Sequence, residues 1–273
     1  MVKWYLRTLP RFGCEFDSRY PLHLISSMKK TENFPSINCT SLRESADRRA
    51  FIEAQCLVYG INRANFYITD RFVDIDTNLE ISGNYAYSVI PQAGTIISHI
   101  NLLRNWYNSC NEPYAIFCED DISLESIAYW NFTWTEFMDN LPADWECVHL
   151  MRIVSPFDGD TVRLKVEPRC WWWWGAHGLM RRSYVKKILD HVCLSSNSYK
   201  LEMGDLQPII ENMLFSGYLG TVYNFPMLVE HEKFNTTYPG KGNSLDHEES
   251  HKYVLNLWRT QGLTLSINDI KHG

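Results

Sequence analysis

Three adjacent carboxylates, Glu119, Asp120 and Asp121, close the short apolar run Tyr114-Ala115-Ile116-Phe117-Cys118. Such a run reads as a buried strand, and like charges crowded at its carboxyl end repel one another unless something relieves them. A hard divalent cation shared between carboxylates and a diphosphate would do so, and would neutralise a leaving group. The bland alternative is an acidic loop opening a helix. Strand alternation turns Glu119 and Asp121 to one side and Asp120 to the other. Three other groups of residues carry chemical types. His247-Glu248-Glu249-Ser250-His251 spells the H-E-x-x-H pattern of zinc proteases, but only His272 follows as a third ligand and no glutamate does. Trp171–Trp174 offer indole platforms for sugars or bases, or simply packing. Arg181, Arg182, Lys186 and Lys187 make a basic stripe, either a solvated helix face or a path for a polyanionic acceptor such as DNA.

The elements that must hold these residues alternate between short apolar strands and amphipathic stretches, the pattern of a layered α/β domain. A strand is expected over 34–39, followed by Ser41 and Glu44 at capping-box spacing. A helix over 46–59 follows, with Phe51, Ala54, Leu57 and Val58 as its apolar face and Gly60 as its stop. Further helices are expected over 95–108, 183–192, 207–215 (with Pro208 in its first turn) and 247–260, and strands over 114–118, 147–151 and 221–225. Residues 1–33 read as an N-terminal extension and 34–273 as a single domain.

Composition narrows the classes. Apolar residues are 45% of the 273 and charged residues 21%, which excludes intrinsic disorder. No run approaches the ~20 apolar residues of a membrane span. Arg7, Pro10 and Arg11 interrupt the opening residues where a secretory leader would be apolar. Eight cysteines with no C-x-x-C pair fit reduced thiols, and the expectation is a soluble cytoplasmic protein. The net charge of −6 disfavours a nucleic-acid partner.

Four stretches taken together resemble glycosyltransferase family 25, the lipooligosaccharide and collagen-type sugar transferases, which also has viral members. They are INCTSLRESADRRAFIEAQCLVYGI, GTIISHINLLRNWYNSCNEPYAIFCEDDI, WWGAHGLMRRSYVKKIL and GDLQPIIENMLFSGYLGTVYNFPMLVEH, spanning roughly residues 36–232 in the family's order. The second is the most specific, with a Gly, a Ser-His opening a helix and a strand ending in Glu-Asp-Asp. The resemblance implies a GT-A fold: a Rossmann-like mixed sheet flanked by helices. It also implies a nucleotide-sugar donor, UDP-linked, a Mn²⁺ or Mg²⁺ ion, and inversion at the anomeric carbon. If the chain is viral, its place is the host cytoplasm.

Carried over, Asn38, Arg48, Ser98, His99 and Asp120 would line the donor pocket, and Glu119, Asp121 and the late His231 would hold the metal. Asp205 would be the catalytic base, with Glu202 as the next choice. The expected acceptor is a glycan. The alternatives are transfer onto a hydroxymethylated base in DNA, or a non-catalytic carbohydrate-binding module built on the tryptophan run.

Overall fold

The computed structural model describes residues 29–62, 64–71, 79–82, 89–153, 162–169, 175–195, 198–202, 209–215, 217–231 and 245–271. Its centre is a seven-stranded sheet in the order β2-β1-β4-β8-β6-β11-β7. These strands are β1 (Ile37–Leu42), β2 (Asn65–Thr69), β4 (Tyr114–Glu119), β6 (Cys147–His149), β7 (Glu167–Pro168), β8 (Gly178–Arg181) and β11 (Val222–Asn224). β1 pairs in parallel with β2 and β4, and β11 with β6, while β8 runs antiparallel between β4 and β6. Hence β1, β2, β4, β6 and β11 share one direction and end at one edge. Two small sheets complete the strands, β3 (Leu79–Ser82) with β10 (Ser198–Glu202) and β9 (Cys193–Ser195), and β5 (Ile122–Ser123) with β12 (Val229–Glu230).

The central strands are buried on both faces, which explains the unbroken apolar reading of β4. Ile116 and Cys118 face one core layer, with Ile37, Cys39, Trp130, Trp134 and Trp258. Ala115 and Phe117 face the other, with Ile96, Ile100, Leu103, Tyr184 and Ile188. The first layer is closed by α1 (Ala46–Tyr59), α3 (Trp134–Asp139) and α6 (Leu245–Gln261), the second by α2 (Val89–Ser109) and α4 (Arg182–Val192). The short helices α5 (Ile210–Leu214) and α7 (Ile267–Ile270) fill the periphery. The architecture is therefore an α/β body with a mixed sheet flanked by helices. Among the described residues no helix is long and apolar enough to cross a membrane.

Several boundaries differ from the sequence reading for identifiable reasons. β1 starts at Ile37 rather than 34, after Pro35, whose ring nitrogen has no proton for a ladder. The Ser41–Glu44 capping box does not form. Ser41 is still in β1, Glu44 pairs with Arg71 at 2.6 Å, and the N-cap of α1 is Ser45 without a side-chain cap. Arg49 instead reaches back to the Ser41 hydroxyl at 2.8 Å and to the Arg43 carbonyl at 3.0 Å. Gly60 does end α1, in the left-handed region at φ 67, with its N–H on the Cys56 and Leu57 carbonyls.

The buried face of α1 is Arg48, Ile52, Gln55 and Cys56, whereas Leu57 is 70% exposed. Helix α2 begins at Val89, so Ser98 and His99 lie inside it and do not open it. The helix expected over 207–215 is described as Ile210–Leu214. Of the expected extension, residues 29–33 join the body, with Lys30 Nζ donating to the Ala128 carbonyl at 3.0 Å.

Candidate active site

The order β2-β1-β4 contains a switch point: α1 carries the chain from β1 to β2 on one side, and β4 lies on the other. In open α/β sheets the crevice outside the carboxyl ends of such strands is where ligands bind. Glu119 ends β4 there, opposite Thr40 of β1, and Asp120 and Asp121 form the turn into β5. The pairing of β12 with β5, Glu230 against Ile122, brings Glu230 and His231 alongside. The pairing of β8 with β4, Gly178 against Phe117, sets His177 beside Glu119.

Arg48 enters the crevice from α1. Its Nη1 donates to Asp120 Oδ1 at 3.0 Å and lies 3.8 Å from Asp121 Oδ2. Both aspartates thus face one guanidinium. The turn interrupts strand alternation, so the expected opposition of Asp120 to Asp121 does not occur. Asp120 Oδ2 and Asp121 Oδ1 are buried with no hydrogen-bond partner among the described residues.

Burial dominates the electrostatics. It lifts the Glu119 carboxyl well above the usual range, aided by the charges of Asp121, Glu211, Asp120 and Glu230. It lifts Asp121 to about 7, with Glu230 and Asp120 adding to the rise and Arg48 opposing it. Asp120 is raised by burial against the pull of Ser41 and Arg48.

Three buried histidines stand behind the acids. His177 Nδ1 accepts the Glu119 backbone N–H at 3.3 Å, and its Nε2 lies 3.8 Å from Asp121 Oδ1. Burial, with His99 nearby, depresses His177 to about 3, so the ring is neutral. His99 is depressed to about 4 by burial and donates from Nδ1 to the Thr95 carbonyl at 3.0 Å. His149 bonds the Gly175 carbonyl through Nε2 and stacks on Phe215. His231 donates its backbone N–H to the Asp121 carbonyl at 2.6 Å and packs edge-on against Phe51 at 4.1 Å.

The sequence-derived site thus divides. Glu119, Asp120, Asp121, Arg48 and His231 come together, and His99 stands one layer back. Asn38 does not join them. It lies two residues before the Glu119 level, and its amide donates to Ser36 Oγ at 3.0 Å and accepts from Asn65 at 3.2 Å, which spends it on the sheet. Ser98 donates to the Gly94 carbonyl of its own helix at 2.8 Å. Asp205 and Trp171–Trp174 lie outside the described residues. Sequence reasoning missed His177 and Glu230, since a single histidine in Gly-Ala-His-Gly carries no spacing signal and long-range pairing alone delivers both.

The remaining motifs are engaged elsewhere. In α6, Glu248 pairs with Lys252 at 2.6 Å, Ser250 donates to the Arg152 carbonyl at 3.1 Å, and His251 Nδ1 donates to the Glu230 carbonyl. In the basic stripe, Arg181 stacks on Trp145 and Arg182 on Tyr107, while Lys186 pairs with Asp190 and Lys187 with Glu146. Replacing Arg182 by Gln is therefore expected to cost about 1–2 kcal/mol in urea unfolding, through the lost stacking and the lost bond to the Tyr107 carbonyl. The same change at Lys186, an exposed pair, is expected to leave the midpoint unchanged.

Among the described residues no group of three or more His, Cys, Asp or Glu side chains has the spacing to hold a metal ion unaided. This donor set still suits Mg²⁺ or Mn²⁺ bound through one or two carboxylates together with substrate phosphates and water. Asp120 Oδ2, without a hydrogen-bond partner among the described residues, supplies acceptor capacity for such a cation. No protein-family model matches the chain, and no curated protein does.

Proposed function

We propose that the chain is a metal-dependent inverting glycosyltransferase of GT-A type, moving a sugar from a UDP-linked donor to a hydroxyl of a glycan. The observation that carries this reading is the cluster of acids at the switch point, with Glu119 and Asp121 raised by burial and by their neighbours' charges, and with Asp120 Oδ2 and Asp121 Oδ1 without hydrogen-bond partners among the described residues. A stable fold retains such a cluster at a cost, and a cation with a diphosphate relieves it. The mixed sheet with its carboxyl-edge crevice is compatible with the GT-A expectation drawn from the four sequence stretches.

In this reading Glu119 and Asp121 would hold Mn²⁺ or Mg²⁺ together with substrate phosphates and water, and the ion would supply charge neutralisation for the departing nucleoside diphosphate; His231, its ring packed on Phe51, lies alongside. Arg48 opposes the burial-driven rise of the Asp120 carboxyl and holds Asp120 in place at the donor side. Asp205 takes the proton of the acceptor hydroxyl. That oxygen forms its bond to the anomeric carbon from the face opposite the diphosphate, whose oxygen leaves with the electron pair of the broken bond. A glycan acceptor is favoured over DNA by the net charge of −6 and by the internal contacts of all four stripe cations.

A thermal-shift panel of nucleotide-sugars with and without Mn²⁺ tests the proposal. A UDP-sugar at about 100 times its dissociation constant adds about 2.7 kcal/mol, or roughly 5–10 °C, and should do so only when Mn²⁺ is present. No shift with any nucleotide-sugar in the presence of Mn²⁺ would remove the donor assignment.

A further inference from the structure

The acid cluster has a buried donor aimed into it. His177 has a side chain only 1% exposed and sits where β8 begins, against the end of β4. Its Nδ1 accepts the Glu119 N–H at 3.3 Å. A ring nitrogen that accepts an N–H carries no proton, so in the neutral ring the proton sits on Nε2. That Nε2 and Asp121 Oδ1 face each other at 3.8 Å, and both are buried without a hydrogen-bond partner among the described residues. A buried donor and a buried acceptor left unpaired each carry a cost. The gap between this pair exceeds a hydrogen bond by less than about 1 Å. Contacts of this kind are commonly long in a free enzyme and shorten in the complex.

The Glu119 contact argues against the obvious alternative. A metal ligand must offer a lone pair, and the lone pair of His177 is on Nδ1, committed to Glu119. Towards Asp121 the ring can only donate. Carboxylates that hold cations are themselves usually held by such donors.

We infer that His177 is a positioning residue for the cation site: its Nε2–H donates to Asp121 Oδ1 and so fixes the orientation of that carboxylate, whose Oδ2 faces Arg48. This rests on the acid cluster being a cation site, as proposed above. It assigns to a histidine of the Gly-Ala-His-Gly turn a role that the sequence motifs do not suggest.

Two substitutions separate the two ends of the ring. His177→Asn keeps an acceptor near the Glu119 N–H but cannot reach Asp121. His177→Gln reaches as far as Nε2 and keeps a donor there. The readout is Mn²⁺ affinity, measured on the full chain with Mn²⁺ alone by the electron-spin resonance of the free ion.

His177→Asn is expected to weaken Mn²⁺ binding by about tenfold or more, and His177→Gln to stay within about threefold of the parent. Equal losses in both variants, or none in His177→Asn, would overturn the inference and leave the cation site standing. A parent protein that binds no Mn²⁺ would overturn the cation site and the inference together. Should either variant fail to fold, imidazole ¹⁵N shifts of the parent decide: a proton on Nε2 of His177 is expected, and a proton on Nδ1 would sink the assignment.

Discussion

An Asp121→Asn variant should be more stable than the parent when metal is absent, and should fail to turn over a donor when metal is present. Burial and the neighbouring acids raise the Asp121 carboxyl from 3.8 to about 7. The folded chain therefore keeps a proton between about pH 4 and pH 7 that the unfolded chain releases. Stability contributed by this group accordingly falls as pH rises through that window, and the full penalty applies above about 7. A rise of about three units corresponds to a ceiling of about 4 kcal/mol, shared with the coupled acids, so a gain of about 2–4 kcal/mol is expected at pH 8.

Below about pH 4 both proteins carry a neutral group there, and the gain should vanish. The depressed histidines act in the opposite sense. Their neutral burial is fully favourable above about 6.5 and becomes unfavourable as pH falls towards about 4 for His99 and about 3 for His177. Because both proteins contain them, the difference between the two stability curves reports Asp121 together with its coupling to the neighbouring acids. Thermal unfolding in chelator from pH 4 to 8 measures it, and a flat difference would show that the carboxylate carries no electrostatic burden. The same variant should lose at least about 10²-fold in Mn²⁺-dependent donor turnover.

How much of this could be read beforehand depended on the range of the interaction. Some local signals held, although the Ser41–Glu44 capping-box spacing formed no cap. Gly60 marked the end of α1, and the apolar run ending in Glu-Asp-Asp located β4 and placed its acids at the carboxyl edge of the sheet. What the sequence concealed was set by contacts between distant segments. The buried face of α1 was misjudged because the crevice needs polar groups there: Gln55 accepts the Leu124 N–H at 2.6 Å and donates to the Ile122 carbonyl at 3.3 Å, and Arg48 serves the acids. Periodicity counts apolar residues, so it turned the helix towards Leu57 and Val58. Asn38 was assigned to the pocket by resemblance, yet its strand position settles it into a sheet-bridging role. His177 and Glu230 enter through the β8–β4 and β12–β5 pairings, across sequence separations that no local pattern spans.

Arg48 supplies the counterpart to the first experiment, with the sign reversed. Its guanidinium is buried, with a side chain 9% exposed, and bonds Asp120 Oδ1 at 3.0 Å. Methionine at this position preserves most of the packing volume and removes the charge. Asp120 then keeps burial as its dominant influence while losing the pull of Arg48, and its carboxyl rises further. The pair needs an ionised carboxylate, and burial holds Asp120 above its ordinary value even with Arg48 in place, so the stability it supplies is full at high pH and disappears as pH falls through the raised folded values of Asp120. Arg48→Met is thus expected to cost about 2–4 kcal/mol at pH 8 and close to nothing near pH 4. Arg48 also lies 3.8 Å from Asp121 Oδ2, so the two substitutions should not add. Once Asp121 is asparagine, one of the charges that Arg48 compensates is gone, and the arginine has less to do. The double variant should be more stable than the sum of the single changes by about 1 kcal/mol at pH 8, and this coupling should fade on acidification. Additive effects at pH 8 would mean that Arg48 and Asp121 do not share an electrostatic site.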